Sequence, residues 1–286
     1  MEVRFRLVDV FTEAPFAGNQ LCVITDPPPG LDTEMMQLLT REIGFSESTF
    51  VTEASGGRYT VRIFTPVEEL PFAGHPTLGT AAALVDEGRI DPVAIQTTSA
   101  GEVPVEVDAA TGFAWMRQLR VSFGPEVTDR ASIARAAGLM ADDLVPGLPA
   151  VAASTGIAHL MVPVRDEAAL HRAARNGAAC LEVAEAADVE SLYLFAVRGD
   201  GDVMARMFDK SETIGEDPAT GSAAGPLGGY LSMHGLAGMP GRSVVAQGEM
   251  VGRPSFLHLD VAPEGDGWVI RVGGGVRFVG DGRFTL

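Results

Sequence analysis

The sequence predicts an α+β protein of two similar halves, each a curved, mostly antiparallel sheet wrapped around a central apolar helix. Three observations lead there. The chain repeats itself: RIFTP (62–66) precedes FAGHPTLGTAAALVDEG, and RMFDK (206–210) precedes ATGSAAGPLGGYLSMHG. With Gly74 set against Gly221, His75 meets Ser222, Leu84 meets Leu231, and Gly88 and Gly235 end the two segments. Both segments are also apolar on every side. Residues 74–85 carry no charge beyond that of His75, and 219–233 carry none, which is the pattern of a buried helix. The segments around them alternate polar and apolar residues with the period of two that marks strands.

Taken in order, RFRLVDVF (4–11) alternates as a strand, and QLCVITD (20–26) is an apolar run stopped by Pro-Pro-Pro-Gly. Residues 33–43 have helical spacing, with Met36, Leu39 and Ile43 on one face. STFVTEA and RYTVRIFTP read as antiparallel strands joined at Gly56-Gly57. Residues 93–107 are strand-rich, and short helices are expected at 129–138 and in the Ala-rich stretch 167–176. In the two apolar helices Pro76 is expected at the first helical position and Ser222 as an N-cap. Gly225, Gly228 and Gly229 each lower helix propensity by about 1 kcal/mol, so surrounding structure must hold that helix, with glycines permitting close approach. The boundary is expected near 113–128. It gives an N-terminal half of 1–120, completed by a last strand at about 277–286, a C-terminal half of 121–276, and a cleft between them.

Composition narrows the function. Hydrophobic residues make up 46% and charged residues 21%, which excludes disordered, collagen-like and coiled-coil chains. Lys+Arg is 21 against Asp+Glu 38, a net charge of −17, which repels nucleic acid and anionic membranes. No uncharged apolar run approaches the roughly 20 residues that span a bilayer. The start, MEVRFRLVDVF, is not the pattern of a signal peptide. Two cysteines, Cys22 and Cys180, cannot make a disulfide framework or a metal site, and a reducing cytoplasm is expected.

The candidate chemistry lies at the two helix starts. Each presents unpaired backbone N–H groups and the positive end of a helix dipole, a nest for a carboxylate or phosphate. The titratable residues near them are Glu47 in FSESTFV, His75, Glu216 and Asp217. A carboxylate entering a buried strand end is expected to have its charged form disfavoured, as a general acid/base requires. The alternative for Glu47 is an exposed loop charge or helix cap. His75 reads as a proton relay or a helix-start donor, and Asp217 as a substrate-orienting group or a turn former. His159, before an apolar strand, reads equally as a core histidine or a ligand contact. There is no Walker A sequence, no GxGxxG between strand and helix, no HExxH and no CxxC. Lys210, the single lysine, is the one Schiff-base candidate. What remains is acid/base chemistry without a cofactor or metal.

The segments VDVFTEAPFAGNQLCVI, RIFTPVEELPFAGHPTLGTAAAL, EDPATGSAAGPLGGYL and QGEMVGRPS, in this order, resemble the PhzF family of phenazine-biosynthesis isomerases. The resemblance implies the fold of diaminopimelate epimerase, a homodimer, and isomerisation of trans-2,3-dihydro-3-hydroxyanthranilate, a small carboxylated ring. It implies Glu47 as the catalytic acid/base, with His75 and Asp217 holding substrate and assisting proton movement. Gly74, Gly221 and Ser222 would surround the substrate, and Asn19 and His159 lie in matching segments. The chain departs from the pattern around 127–151 and in the FDKSETIG loop, both expected to shape the pocket. Two other readings stay open: a cofactor-free amino-acid epimerase or racemase, which would need a cysteine pair, and a non-catalytic ligand-binding dimer.

Overall fold

A computed structural model describes residues 1–286. The chain forms two compact units, Met1–Arg117 with Gly273–Leu286, and Gln118–Val272. Both are α+β. No helix is long and apolar enough to cross a membrane.

The first unit contains β1 (Glu2–Val10), β2 (Asn19–Ile24), α1 (Thr33–Ile43), β3 (Glu47–Ser55), β4 (Arg58–Phe64), β5 (Glu69–Leu70), α2 (Gly74–Asp86), β6 (Val93–Thr98), β7 (Gly101–Asp108) and β8 (Phe113–Arg117). The second contains β9 (Ser122–Val127), α3 (Arg130–Ala136), β10 (Ala150–Ser154), β11 (Ala158–Pro163), α4 (Glu167–Arg172), α5 (Gly177–Ala187), β12 (Ser191–Val197), β13 (Val203–Asp209), β14 (Glu216–Asp217), α6 (Gly221–His234), β15 (Arg242–Gln247) and β16 (Ser255–Glu264). The last strand, β17 (Gly267–Thr285), begins in the second unit and ends in the first.

The repeat extends to strand pairing. In the first unit β1–β2 is antiparallel, β2–β3 parallel across α1, β3–β4 antiparallel, β4–β6 parallel across α2, and β6–β7 antiparallel. The second unit runs the same series: β10–β11, β11–β12 across α4 and α5, β12–β13, β13–β15 across α6, and β15–β16. Parallel neighbours need a crossover, and each crossover here carries helix. In the first unit β17 runs antiparallel along β1 from Glu2↔Thr285 to Val10↔Val276 and also pairs with β8, closing a ring of strands.

Each ring or sheet surrounds its apolar helix. Helix α2 touches β1, β2, β3, β7 and β8, and α6 touches β10, β11 and β16. Close approach explains the small residues. A Cβ on Gly79 would lie 2.6 Å from the Leu21 side chain and 3.0 Å from that of Val10, both fully buried. Replacing Gly79 by Val is expected to cost about 1–3 kcal/mol through overpacking, in spite of better helix propensity. Urea unfolding checks this, and an equal or higher midpoint refutes the close-packing account. The amphipathic α1 behaves differently: Asp32 caps it by accepting from Met35 N–H (2.9 Å), Gly44 ends it in the left-handed region, and it buries only Met36, Leu39 and Thr40.

Three local expectations are corrected. Helix α2 starts at Gly74, so Pro76 is its third residue. This is harmless because first-turn N–H groups have no helical acceptor. Thr220, not Ser222, is the N-cap of α6, and Ser222 is the second helical residue. The helix expected over 167–176 stops at Arg172, and Asn176 instead caps α5, accepting from Ala179 N–H at 3.3 Å. Tertiary bonds end it: Ala174 N–H and Asn176 N–H donate to Ala137 O and Ala136 O, both at 2.9 Å, and so cannot continue the helical ladder.

Candidate active site

In the first unit strand alternation delivers the carboxylate. Residues of β3 point alternately to its two faces. Thr49 faces α2, its hydroxyl 2.8 Å from that of Thr80, while Phe50 packs on the other side against Phe64. Glu47, two residues before Thr49, therefore faces the start of α2. His75 Nε2 lies 3.4 Å from Glu47 Oε2, without hydrogen-bond alignment on the histidine nitrogen. The Glu47 side chain is 15% exposed, so it is neither a free loop charge nor a helix cap. Burial depresses the His75 imidazole to about 3, against a hydrogen bond to the Gln20 backbone that favours the charged form. His75 is thus neutral beside Glu47 at pH 7, and the contact is not an ion pair. Asn19 is buried, and its Oδ1 accepts from Ser46 Oγ at 3.1 Å, just before Glu47. Gly74 is the first residue of α2.

In the second unit Asp217 lies in β14, opposite Met207. Its Oδ2 accepts from Thr220 Oγ1 at 2.6 Å. The turn between them is clamped by Gln247, whose amide nitrogen donates to Asp217 O (2.8 Å) and Thr220 Oγ1 (2.9 Å). Gln247 Oε1 accepts from Tyr193 Oη at 2.9 Å and Thr220 N–H at 3.3 Å. Gly221 opens α6, and Ser222 follows with its hydroxyl 3.0 Å from His159 Nε2. The other ring nitrogen of His159 lies 2.8 Å from Ser191 Oγ. His159 is buried, so any effect it has on a ligand passes through Ser222.

Register makes these two constellations counterparts. Phe64 and Phe208 each follow by two residues an arginine bonded twice to a carboxylate, Arg62 to Glu69 and Arg206 to Glu216, and Ser48↔Phe64 matches Leu192↔Phe208. Glu47 therefore corresponds to Ser191, and His75 to Ser222. The parallel neighbour is Leu21 for Glu47 and His159 for Ser191.

The sequence reading missed Ser191, Thr220, Gln247 and Asp209. Gln247 lies in QGEMVGRPS, so a signal was present, but nothing local says where its amide reaches. Asp209 is held near Asp217, and its carboxyl is pushed up to about 6 by burial, opposed by the Ser211 N–H bond and aided by the charges of Asp217 and Glu190.

The His159 imidazole is depressed to about 3 by burial, from an ordinary 6.5. Between those values the unfolded chain binds more protons, so stability is complete above pH 6.5 and falls as pH drops through the window. Urea unfolding at about pH 6 and about pH 4 is expected to show a slope flattened by up to about one proton in His159→Asn. An unchanged slope would refute a buried, neutral His159.

The cysteines do not form a reactive pair. Burial pushes the Cys22 thiol up to about 12 and also raises that of Cys180, whose Sγ donates to Ala136 O at 3.3 Å. Neither supplies a thiolate near pH 7. Lys210 is paired with Glu190 at 2.7 Å. No group of three or more His, Cys, Asp or Glu side chains is placed to hold a metal ion.

A family model described as phenazine biosynthesis-like protein matches residues 8–275. The chain is 33% identical to an uncharacterized isomerase from Salmonella typhimurium over 249 residues, 84% of this chain and 83% of that protein. It is 34% identical to a trans-2,3-dihydro-3-hydroxyanthranilate isomerase from Pseudomonas aeruginosa over 258 residues, 89% of each. Among solved structures it is similar to a predicted epimerase from Pseudomonas aeruginosa, with a TM-score of 0.86, 37% identity and 99% of each chain covered.

Proposed function

Because the chain belongs to the phenazine biosynthesis-like family (PhzC-PhzF) and is an isomerase of that family, we propose that it moves a proton within a small carboxylated ring by general acid/base catalysis, with trans-2,3-dihydro-3-hydroxyanthranilate as the substrate. The observation that carries this reading is the approach of Glu47 to His75 at a buried strand end. Glu47 removes a proton from the hydroxyl-bearing ring carbon beside the diene. The electron pair delocalises through the diene, and Glu47 returns the proton at another ring carbon. The resulting enol becomes a ketone, and the residue ends as it began. His75, neutral, and Asp217 are assigned to holding substrate and assisting the movement of the proton. Gly74, Gly221 and Ser222 are assigned to substrate contacts at the helix starts, where backbone N–H groups suit a carboxylate.

Acid/base catalysis of this kind supplies typically ~10²–10⁴-fold, and positioning supplies more. The reading includes a homodimer and a cytoplasmic setting; light scattering of the purified chain tests the first. The central experiment incubates the protein with trans-2,3-dihydro-3-hydroxyanthranilate in D2O and follows the ring by proton NMR. Loss of the diene signals with migration of hydrogen is expected. A substrate that stays unchanged with folded protein refutes this substrate. The two-thiol epimerase reading finds no support in two buried, protonated cysteines.

A further inference from the structure

The second unit places a hydroxyl, an imidazole and a hydroxyl in one line at the position where the first unit has Glu47 and His75. Ser191 Oγ lies 2.8 Å from His159 Nδ1, and Ser222 Oγ lies 3.0 Å from His159 Nε2. We propose that Ser191 and His159 are positioning residues that fix Ser222 as a hydrogen-bond donor, its proton directed away from the imidazole and toward a carboxylate or other oxygen acceptor of the substrate; the identity of that acceptor rests on the function proposed above.

The polarity follows from which group has a choice. Ser191 is fully buried, and His159 Nδ1 is the sole partner of its hydroxyl. A buried hydroxyl that accepts from Nδ1–H would strand its own proton, whereas one that donates leaves only lone pairs unfilled. An unmet buried donor is the more costly defect. Ser191 therefore donates to Nδ1. A neutral imidazole carries one N–H, so the proton sits on Nε2 and is donated to Ser222 Oγ. Burial keeps the ring neutral, with its pKa depressed to about 3, so this arrangement holds across the physiological range. Ser222 Oγ, filled as an acceptor by the imidazole, keeps its own proton to give. It sits in the first turn of α6, where backbone N–H groups and the helix dipole also favour an anion.

The relay differs from a catalytic serine–histidine pair, in which the imidazole takes the serine proton. Here Nε2 carries the hydrogen and cannot act as the base toward Ser222, so Ser222 is a binder and not a nucleophile.

The test is the tautomer of His159 in the intact protein labelled with 15N-histidine. Two-bond 1H–15N correlation spectra distinguish Nδ1–H, Nε2–H and imidazolium forms, and His159→Asn identifies the signal among the five histidines. A neutral Nε2–H ring between about pH 5 and about pH 8 is expected. A neutral Nδ1–H ring, or an imidazolium in that range, overturns the proposal, because Ser222 would then give its proton to the ring or Ser191 would be stranded. The spectrum needs no substrate. An Nε2–H ring in a protein that fails to isomerise the hydroxyanthranilate leaves the relay standing and removes only the functional reading.

Discussion

Glu47→Gln is expected to lower kcat by about 10²–10⁴-fold, the range that one well-placed acid/base group supplies. The substitution is nearly isosteric at a residue that opens a buried strand, so the Thr49–Thr80 contact and the antiparallel β3–β4 register should persist. Its effect should therefore fall on proton transfer and not on folding. His75, the neighbour at 3.4 Å, cannot take over the task. The His75 imidazole is depressed to about 3, so near pH 7 it neither stores the transferred proton as an imidazolium nor titrates in the working range. Two measurements check this. Turnover by proton NMR in D2O should fall with hydrogen migration, while the thermal unfolding midpoint stays close to the parent. The pH profile of kcat/KM between about pH 5 and about pH 8 should lack a step from His75. Full turnover in Glu47→Gln would remove the mechanism, since the proton would then travel by another carrier.

The second large effect is on stability, at Arg206. Two clamps repeat between the units: Arg62 Nε and Nη2 donate to the Glu69 carboxylate (2.7 and 2.6 Å), and Arg206 Nε and Nη2 donate to that of Glu216 (2.8 and 2.6 Å). Each guanidinium also lies over the ring two residues later, Phe64 at 5.1 Å or Phe208 at 4.9 Å. Their surroundings differ. Side-chain exposure is 29% and 40% for Arg62 and Glu69, but 8% and 15% for Arg206 and Glu216. Arg206 Nη1 also donates to Leu170 O and Ala173 O, holding the end of α4.

Arg206→Met leaves a nearly buried carboxylate uncompensated and two helix-end carbonyls without their donor, and should cost about 3–5 kcal/mol. Arg62→Met breaks the same geometry in contact with water and should cost only about 0–1 kcal/mol. Urea unfolding of the two variants checks the contrast. Equal losses would mean that burial does not set the energy of these pairs. Because Glu216 and Asp217 together make up β14, Arg206→Met is also expected to loosen the carboxylate assigned to the substrate.

Much of the architecture is legible in the sequence alone. The uncharged stretches 74–85 and 219–233 announced buried helices, and setting Gly74 against Gly221 placed His75 and Ser222 at the same helical position, as found. Gly88 and Gly235 both adopt positive φ, 66° and 62°, just past the helices they end. Glu47 was legible as a carboxylate at the mouth of an apolar strand. The misses share one cause. The end of α4 and the start of α5 are not legible locally, because the bonds that end α4 come from α3 and from Arg206, distant in sequence. Ser191 and Gln247 carry no local mark, being a serine before an apolar strand and a glutamine before a turn.

Apolar patterning and repetition are properties of neighbouring residues, and a helix with no charge has one place to go, so two sheathed helices and an acidic residue beside one of them were written in the order of amino acids. Which polar groups meet depends on register between strands far apart in the chain. Parallel pairing of β11 with β12 set His159 beside Ser191, and the turn after β14 brought Ser222 to its other side. Burial of those groups then withdrew water, and it is this withdrawal that holds two histidines neutral, separates a strong arginine clamp from a weak one, and turns a serine into a donor.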